Sequence, residues 1–344
     1  MSIARREQGS LYDTILSHNR MRLLVSPLNW TDFHSQLLRI HFIEHPVIFK
    51  PVPTTMERLE PSRKGEMLLK DLTTLESLPD QASDDENSAI KHIILTFFPS
   101  LSRLKTYTGL NLYFGQLRKT IQIPCVWSHR TEYKPILAYV SRSQLAARRK
   151  NRLLPADADR DPYIIAILLA MAQAHFYDEP VSRPLPYGGR QFSCAPAPFR
   201  DITLQVITHD GYGDAAKFVV YTATVTATFL TRFMMPHKGP SAQDGSTGMD
   251  ISYTPVSAWP LLGLKERLER VLGRGITGHP VHDDADHIGF WDPLVEPQPA
   301  RKRKCPDDGT VPSAAKKRRT AGNHGGGGAG RQGTCMHHLS GSLN

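Results

Sequence analysis

Residues 161–176 constrain this chain more than any other stretch. Asp161 and Pro162 lead directly into Tyr163-Ile164-Ile165-Ala166-Ile167-Leu168-Leu169-Ala170-Met171-Ala172-Gln173-Ala174. An aspartate can cap the first free backbone N–H groups of a helix, and proline fits the first helical position, so the pair predicts a helix starting at Pro162. Apolar side chains occupy every face of it. Such a helix has no side to give to water and must lie in the middle of a core. Its apolar run is well short of the ~20 residues that span a bilayer, so the segment reads as a buried helix of a folded domain and no membrane association is expected. Asp178, Glu179 and Pro180 end it.

The flanking sequence predicts strands and shorter helices. A Pro/Gly-rich loop over 180–198 precedes Ile202–Thr208 and Phe218–Val225, two β-branched runs around His209-Asp210-Gly211-Tyr212-Gly213-Asp214, which is the pattern of a β-hairpin. Thr226 or Thr228 can cap a following helix around Phe229, Leu230, Phe233 and Met234, closed by Pro236. Residues 237–255, rich in Gly, Ser, Asp, Gln and Pro, read as a loop. Leu261–Leu272 is amphipathic, with leucines and Val271 on one side and Lys265, Glu266, Arg267, Glu269 and Arg270 on the other.

Towards the N-terminus, helices are expected over Ser10–Leu24 and Trp30–Ile43, the second capped by Asn29 or Thr31, then an extended Val47-Ile48-Phe49. The acidic residues Asp80, Asp84, Asp85 and Glu86 suggest that 79–88 is a surface loop and a point of subdivision. Ala89–Leu104 reads as a buried helix or strand pair, Asn111–Phe114, Thr120–Trp127 and Pro135–Val140 as strands, and Ser143–Lys150 as a short basic helix. The expected architecture is α+β: one globular domain over 1–292 with a buried central helix, a β-hairpin and flanking helices, followed by a disordered basic tail over 293–344.

Charge separates these two parts. The 344 residues carry a net charge of +9, from 42 basic and 33 acidic side chains. Residues 301–344 hold nine of the basic and two of the acidic ones, so the globular part is nearly balanced. The tail's cations form two clusters, Arg301-Lys302-Arg303-Lys304 and Lys316-Lys317-Arg318-Arg319, separated by the eleven residues 305–315. Two basic clusters joined by an extended spacer match the two acidic, tryptophan-lined sites of a nuclear import carrier. Pro306 and Pro312 favour that extended form. Thr310, Ser313 and Thr320 stand where phosphorylation would weaken such binding.

Other residues carry groups capable of chemistry. His282, Asp283, Asp284, Asp286 and His287 are metal-capable donors, but they lack the fixed spacing of a helical ligand pair. Arg148, Arg149, Lys150 and Arg152 could contact phosphate or form a solvated helix end. Cys194 with His175 or His209 as base, and Asp161 with Asp201 and Lys217 as a nuclease-like set, are weaker combinations. No phosphate-binding glycine loop or nucleophile elbow is present, and no cofactor is expected. The four cysteines, Cys125, Cys194, Cys305 and Cys335, are too dispersed for a disulfide framework or a paired-ligand zinc module, which fits a reducing compartment. The first ten residues are charged and precede no apolar run, so no export signal is expected.

The run Asp161–Gln173, with Ile202–His209, Phe218–Thr222 and the two-part basic tail, resembles a lineage-restricted group of filamentous-fungal proteins, the subtelomeric hypoxia-responsive morphology factors of Aspergillus. The resemblance covers about residues 150–235 and the tail. It implies a nuclear protein that alters expression of a gene set, including neighbours near its own chromosome end, and through it colony or biofilm architecture and fitness in low oxygen. It supplies no catalytic residue. The expected function is thus a non-enzymatic nuclear regulator whose partners are an import carrier and nucleic acid or chromatin-associated proteins. A metal-dependent hydrolase using the His282–His287 cluster and an RNA- or DNA-binding module are the alternatives.

Overall fold

The computed structural model describes residues 6–18, 25–48, 59–76, 83–104, 109–115, 117–149, 153–177, 181–184, 190–193, 198–240, 248–278 and 290–293. Contacts divide the chain into two units, Met1–Leu294 and Val295–Asn344, and all described residues belong to the first. The N-terminal part forms α1 (Leu11–Ser17), α2 (Asp32–Leu37), β1 (Ile40–Glu44), β2 (Leu59–Pro61), α3 (Arg63–Leu75), α4 (Ser83–Phe97) and β3 (Leu101–Arg103). Next come β4 (Leu110–Phe114), β5 (Leu117–Ile121), β6 (Cys125–His129), β7 (Leu137–Tyr139), α5 (Arg142–Arg148) and α6 (Pro162–Gln173). The remainder is β8 (Val181–Pro184), β9 (Arg190–Ser193), β10 (Ile202–Asp210), β11 (Lys217–Val225), α7 (Ala227–Met234), β12 (Met249–Ser257), α8 (Leu264–Leu272), α9 (Arg274–Thr277) and β13 (Trp291–Pro293).

Seven strands make one mixed sheet in the order β1-β12-β11-β10-β7-β6-β3, parallel at β1/β12 and β7/β10. The fold is α+β, with helices on both faces. Helix α6 is the hub of one face. Its twelve residues are all buried, Asp161 accepts from the Tyr163 N–H, and Pro162 occupies the first turn. The core on this side gathers α6, Phe229 and Leu230 of α7, and the inward residues Leu204, Val206, Val219, Tyr221 and Ile251 of the sheet. On the other face, Leu72 of α3, Ile93 of α4 and Leu268 of α8 close over Trp127, Tyr139, Ile207 and Val220. Inward and outward residues alternate along each strand, so a single sheet can support two cores. The β10–β11 hairpin pairs Ile202 with Val225 through to Asp210 with Lys217, as its sequence predicts. Thr226 caps α7 through the Phe229 N–H. Among the described residues no helix is long and apolar enough to cross a membrane.

Several elements differ from the sequence expectation. The helix expected over Trp30–Ile43 stops at Leu37; Arg39 takes φ 57° and Ile40–Glu44 becomes β1. The partner that makes it a strand is β12, some 209 residues away in sequence, where His41 pairs with Asp250. That strand occupies much of the region read as a loop, because β11 and β1 hold it from both sides. Pro255 is tolerated within it because its carbonyl side faces the flank where β1 has ended and the Ile48 N–H donates across. Gly248 lets the two chains meet, since a Cβ there would lie 2.1 Å from the Arg39 carbonyl oxygen.

The acidic stretch is also not a loop throughout. Asp84, Asp85 and Glu86 form the first turn of α4, where carboxylates complement the helix dipole. Within the 180–198 loop, β8 and β9 form a two-stranded hairpin. The span Thr120–Trp127 is divided between β5, which pairs with β4, and β6, which joins the main sheet. In α8, Arg267 and Glu269 are only 2% and 4% exposed, so the side expected to meet solvent is partly buried.

Candidate functional site

Strands β7 and β10 run parallel, and two networks of hydrogen-bonded polar side chains gather at their carboxyl ends. Such strand ends are favoured positions for ligands and catalytic groups in sheets with parallel pairs. Helix α5 starts immediately after β7, capped by Ser141, whose side chain accepts from the Gln144 N–H. Its first residue, Arg142, turns to the α6 side of the sheet. There its Nε donates to Thr208 Oγ1 at 3.2 Å, Nη1 to Asp210 Oδ2 at 3.0 Å and Nη2 to the Tyr221 hydroxyl at 2.8 Å, and it also pairs with Asp159. Lys217 Nζ reaches Asp159 Oδ2 at 3.7 Å. Burial opposes the Arg142 charge, but Tyr221 and Asp159 outweigh it and hold the guanidinium above its ordinary pKa. Burial pushes the Tyr221 hydroxyl upward against the pull of Arg142.

A second network lies on the opposite face. The Tyr139 hydroxyl donates to Glu86 Oε1 at 2.7 Å and lies 2.6 Å from His209 Nδ1. His209 Nε2 is 3.0 Å from the Leu75 carbonyl oxygen, which only accepts, so the proton sits on Nε2 and the neutral ring offers Nδ1 as an acceptor. One hydroxyl hydrogen thus faces two acceptors. Gln144 Nε2 donates to the other Glu86 oxygen at 2.8 Å, tying α5 to α4. Burial lowers the pKa of His209 and raises that of Tyr139 well above the usual phenol value. A cavity of about 10 Å³ adjoins His209, Asp210 and Lys217, room for about one water. The two networks supply the parts of a proton relay, a neutral imidazole and a carboxylate meeting at one hydroxyl, beside a charge-compensated arginine.

Of the residues singled out from sequence, His209 and Lys217 belong to these networks and the other described ones are placed elsewhere. Arg149 leaves the phosphate-contact set: it is 7% exposed, and its Nη1 and Nη2 donate to Asp161 Oδ2 and Oδ1 at 2.6 and 2.8 Å while Nε donates to the Leu28 carbonyl. Arg148 is exposed. Lys150 and Arg152 lie outside the described residues, as do Cys194, the cluster containing His282, Asp283, Asp284, Asp286 and His287, and the eight tail cations Arg301–Lys304 and Lys316–Arg319. Asp161 is committed to Arg149 and the cap of α6, Asp201 Oδ1 accepts from the Ala227 N–H at 2.8 Å, and Lys217 faces Asp159. These three form no shared site by their contacts. His175 Nε2 bonds the Pro135 carbonyl at 2.8 Å, and burial lowers its pKa. Among the described residues no group of three or more His, Cys, Asp or Glu is arranged to hold a metal.

Glu86, Tyr139, Arg142, Asp159 and Tyr221 are functional candidates that only the fold brings together. The signal available in the sequence was Tyr139, Arg142, His209 and Asp210 at the ends of two apolar strands, which points to a site only once the strands are known to be parallel neighbours. No protein-family model, curated protein or solved structure matches this chain.

Proposed function

We propose that this chain is a nuclear regulatory protein, carried into the nucleus by an import carrier that grips Arg301–Lys304 and Lys316–Arg319, and acting there on gene expression through protein or nucleic-acid partners. The observation that carries this reading is the pair of four-residue basic clusters separated by eleven residues. Clusters so spaced fill two acidic sites on one carrier from a single extended peptide, which one basic run cannot do. The excess charge is concentrated there: residues 301–344 carry nine basic against two acidic side chains, and the rest of the chain 33 against 31. A nearly neutral first part with a basic second unit fits transport by the tail and regulatory contacts by the domain. The resemblance to subtelomeric hypoxia-responsive factors supports a gene set near a chromosome end as the target and colony morphology in low oxygen as the readout.

The test is the nuclear-to-cytoplasmic ratio of a fluorescent fusion, intact and with Lys316, Lys317, Arg318 and Arg319 changed to alanine. The fusion should be concentrated in the nucleus and the variant should even out between compartments, with loss of the expression phenotype. A variant that stays nuclear, or that keeps the phenotype from the cytoplasm, would overturn the proposal.

A further inference from the structure

An open apolar cavity of about 180 Å³ lies between α1, α2, the β4–β5 hairpin and α7. Protein interiors seldom leave space larger than a water molecule unfilled, and a dry apolar cavity of about 150 Å³ is enough to take up benzene. Its deep wall consists of buried side chains: Leu11, Trp30, Leu38, Leu112 and Phe233. None of these carries a charge, so the interior favours a hydrocarbon body over a polar one.

The mouth is different. Two lining residues are exposed, Leu117 and Lys119, both on β5. Among the described residues, Lys119 is the one formally charged side chain that lines the cavity, and it has no salt-bridge partner. Leu117 and Lys119 point the same way from the strand, two residues apart, so an apolar contact and an ammonium stand together at the rim. A ligand complementary to this arrangement has an aliphatic body and one anionic end.

We propose that this cavity binds a free medium-chain carboxylate, its chain among Leu11, Trp30 and Phe233 and its carboxylate paired with Lys119. The commitment to a carboxylate rests on the Lys119 ammonium at the rim. The commitment to medium length rests on the cavity volume, which fits a chain of roughly eight carbons better than the long chains of membrane lipids. This site is separate from the network at the ends of β7 and β10, and it does not depend on the nuclear reading.

Trp30 in the wall provides the readout. Titration of the full-length protein with 8-bromooctanoate should quench tryptophan fluorescence saturably, and most of that quenching should disappear in Trp30→Phe. Unlabelled octanoate should compete about fifteenfold better than hexanoate, because two buried methylenes are lost at about fourfold each. Lys119→Gln, on an exposed strand position, should weaken octanoate about fivefold and leave octanol unchanged. Absence of saturable quenching up to millimolar ligand, or quenching undiminished in Trp30→Phe, would overturn the site. Equal effects of Lys119→Gln on octanoate and octanol would overturn the carboxylate assignment. Ile15→Trp, which fills the half-buried wall from α1, should abolish competition while circular dichroism stays that of the parent.

Discussion

The two faces of the sheet bury cations in opposite ways. On the α6 side, Arg149 is clamped bidentately to Asp161 and Arg142 faces Asp159 and Asp210. On the α8 side, Arg267 has no carboxylate within ion-pair distance among the described residues. Its guanidinium donates to the carbonyls of Ser257 at 3.1 Å, Leu262 at 3.2 Å, Ala258 at 3.4 Å and Pro260 at 2.5 Å. The first solution cancels charge with charge. The second uses carbonyl dipoles, and in doing so it collects the turn between β12 and α8 around one side chain. Burial pulls the Arg267 pKa down to about 10, which still leaves a cation at neutral pH. The two faces also differ in what removing a partner exposes: an unpaired buried charge on one, a set of unbonded carbonyls on the other.

The largest effect should come from breaking the charge pair. Asp161→Ala leaves the Arg149 guanidinium, whose side chain is 1% exposed, without its counter-ion and removes the cap on Tyr163. Breaking a buried pair costs about 3–5 kcal/mol and losing a cap about 1 kcal/mol, with overlap because the same carboxylate serves both. A loss of about 4 kcal/mol is expected from urea denaturation. The double variant Arg149→Met with Asp161→Asn keeps a capping oxygen and removes both charges, so it should recover most of that loss. If Asp161→Ala costs under about 1 kcal/mol, the charge-on-charge account of this face fails.

Arg267→Met tests the other solution. It keeps the apolar stem but leaves four carbonyl oxygens without their donor, at about 1–3 kcal/mol for a buried group left unmade and less where water reaches it. About 3 kcal/mol is the expected sum, again from urea midpoints. Arg267→Lys should recover less than half, since an ammonium cannot reproduce the planar fork that spans Ser257 to Pro260. A neutral Arg267→Met would mean that the turn holds itself and the guanidinium merely fills space.

These two faces were unequally legible in the sequence. Helix α6 was readable because all its evidence is local: a cap, a proline and an unbroken apolar run. The β10–β11 hairpin was readable for the same reason, with its turn residues adjacent to its strands. Strand β12 was not, because Asp250, Ser252 and Pro255 argue against a strand unless β1 and β11 are already in place. Ile40–Glu44 continued the apolar spacing of α2, and only its long-range pairing makes it extended. Arg267 falls on the buried stripe of α8 by spacing, three residues after Leu264 and four before Val271, but its charge reads as solvent-facing until the carbonyls of residues 257–262 are in place to receive it. The Glu86–Tyr139–His209 network had the same obstacle, since its members come from α4, β7 and β10. Arg149 was read as a surface cation because nothing in its own neighbourhood reveals Asp161 twelve residues on as its partner.

The smallest effect, and the finest test of the α8 side, is its response to acid. His209 faces the Tyr139 hydroxyl, the Glu86 carboxylate of α4, Asp210 and Arg142 along the strand ends, and the Leu75 carbonyl at the end of α3. Burial is the main cause of its lowered pKa, partly offset by Glu86. The folded value therefore lies below the unfolded one of about 6.5, so the unfolded chain binds more protons in the interval between them. Stability from this group is fully present above about pH 6.5 and is lost as pH falls through the folded value, at no more than about 1.4 kcal/mol per pH unit. His175, lowered chiefly by burial with Lys134 and Arg200 adding to it and the Pro135 carbonyl opposing, adds a loss of the same sign. Urea midpoints at pH 7.5, 6.5 and 5.5 should converge between parent and His209→Gln as the pH falls, because glutamine can still donate to Leu75 yet takes up no proton. The residual slope of that variant should then shrink further with His175→Gln. If the parent and His209→Gln lose stability in parallel, His209 takes up protons equally in the folded and unfolded chains and burial does not disfavour its charge; a parent that gains on the variant as the pH falls would mean that the folded chain holds His209 as a second cation beside Arg267 rather than as a neutral acceptor for Tyr139.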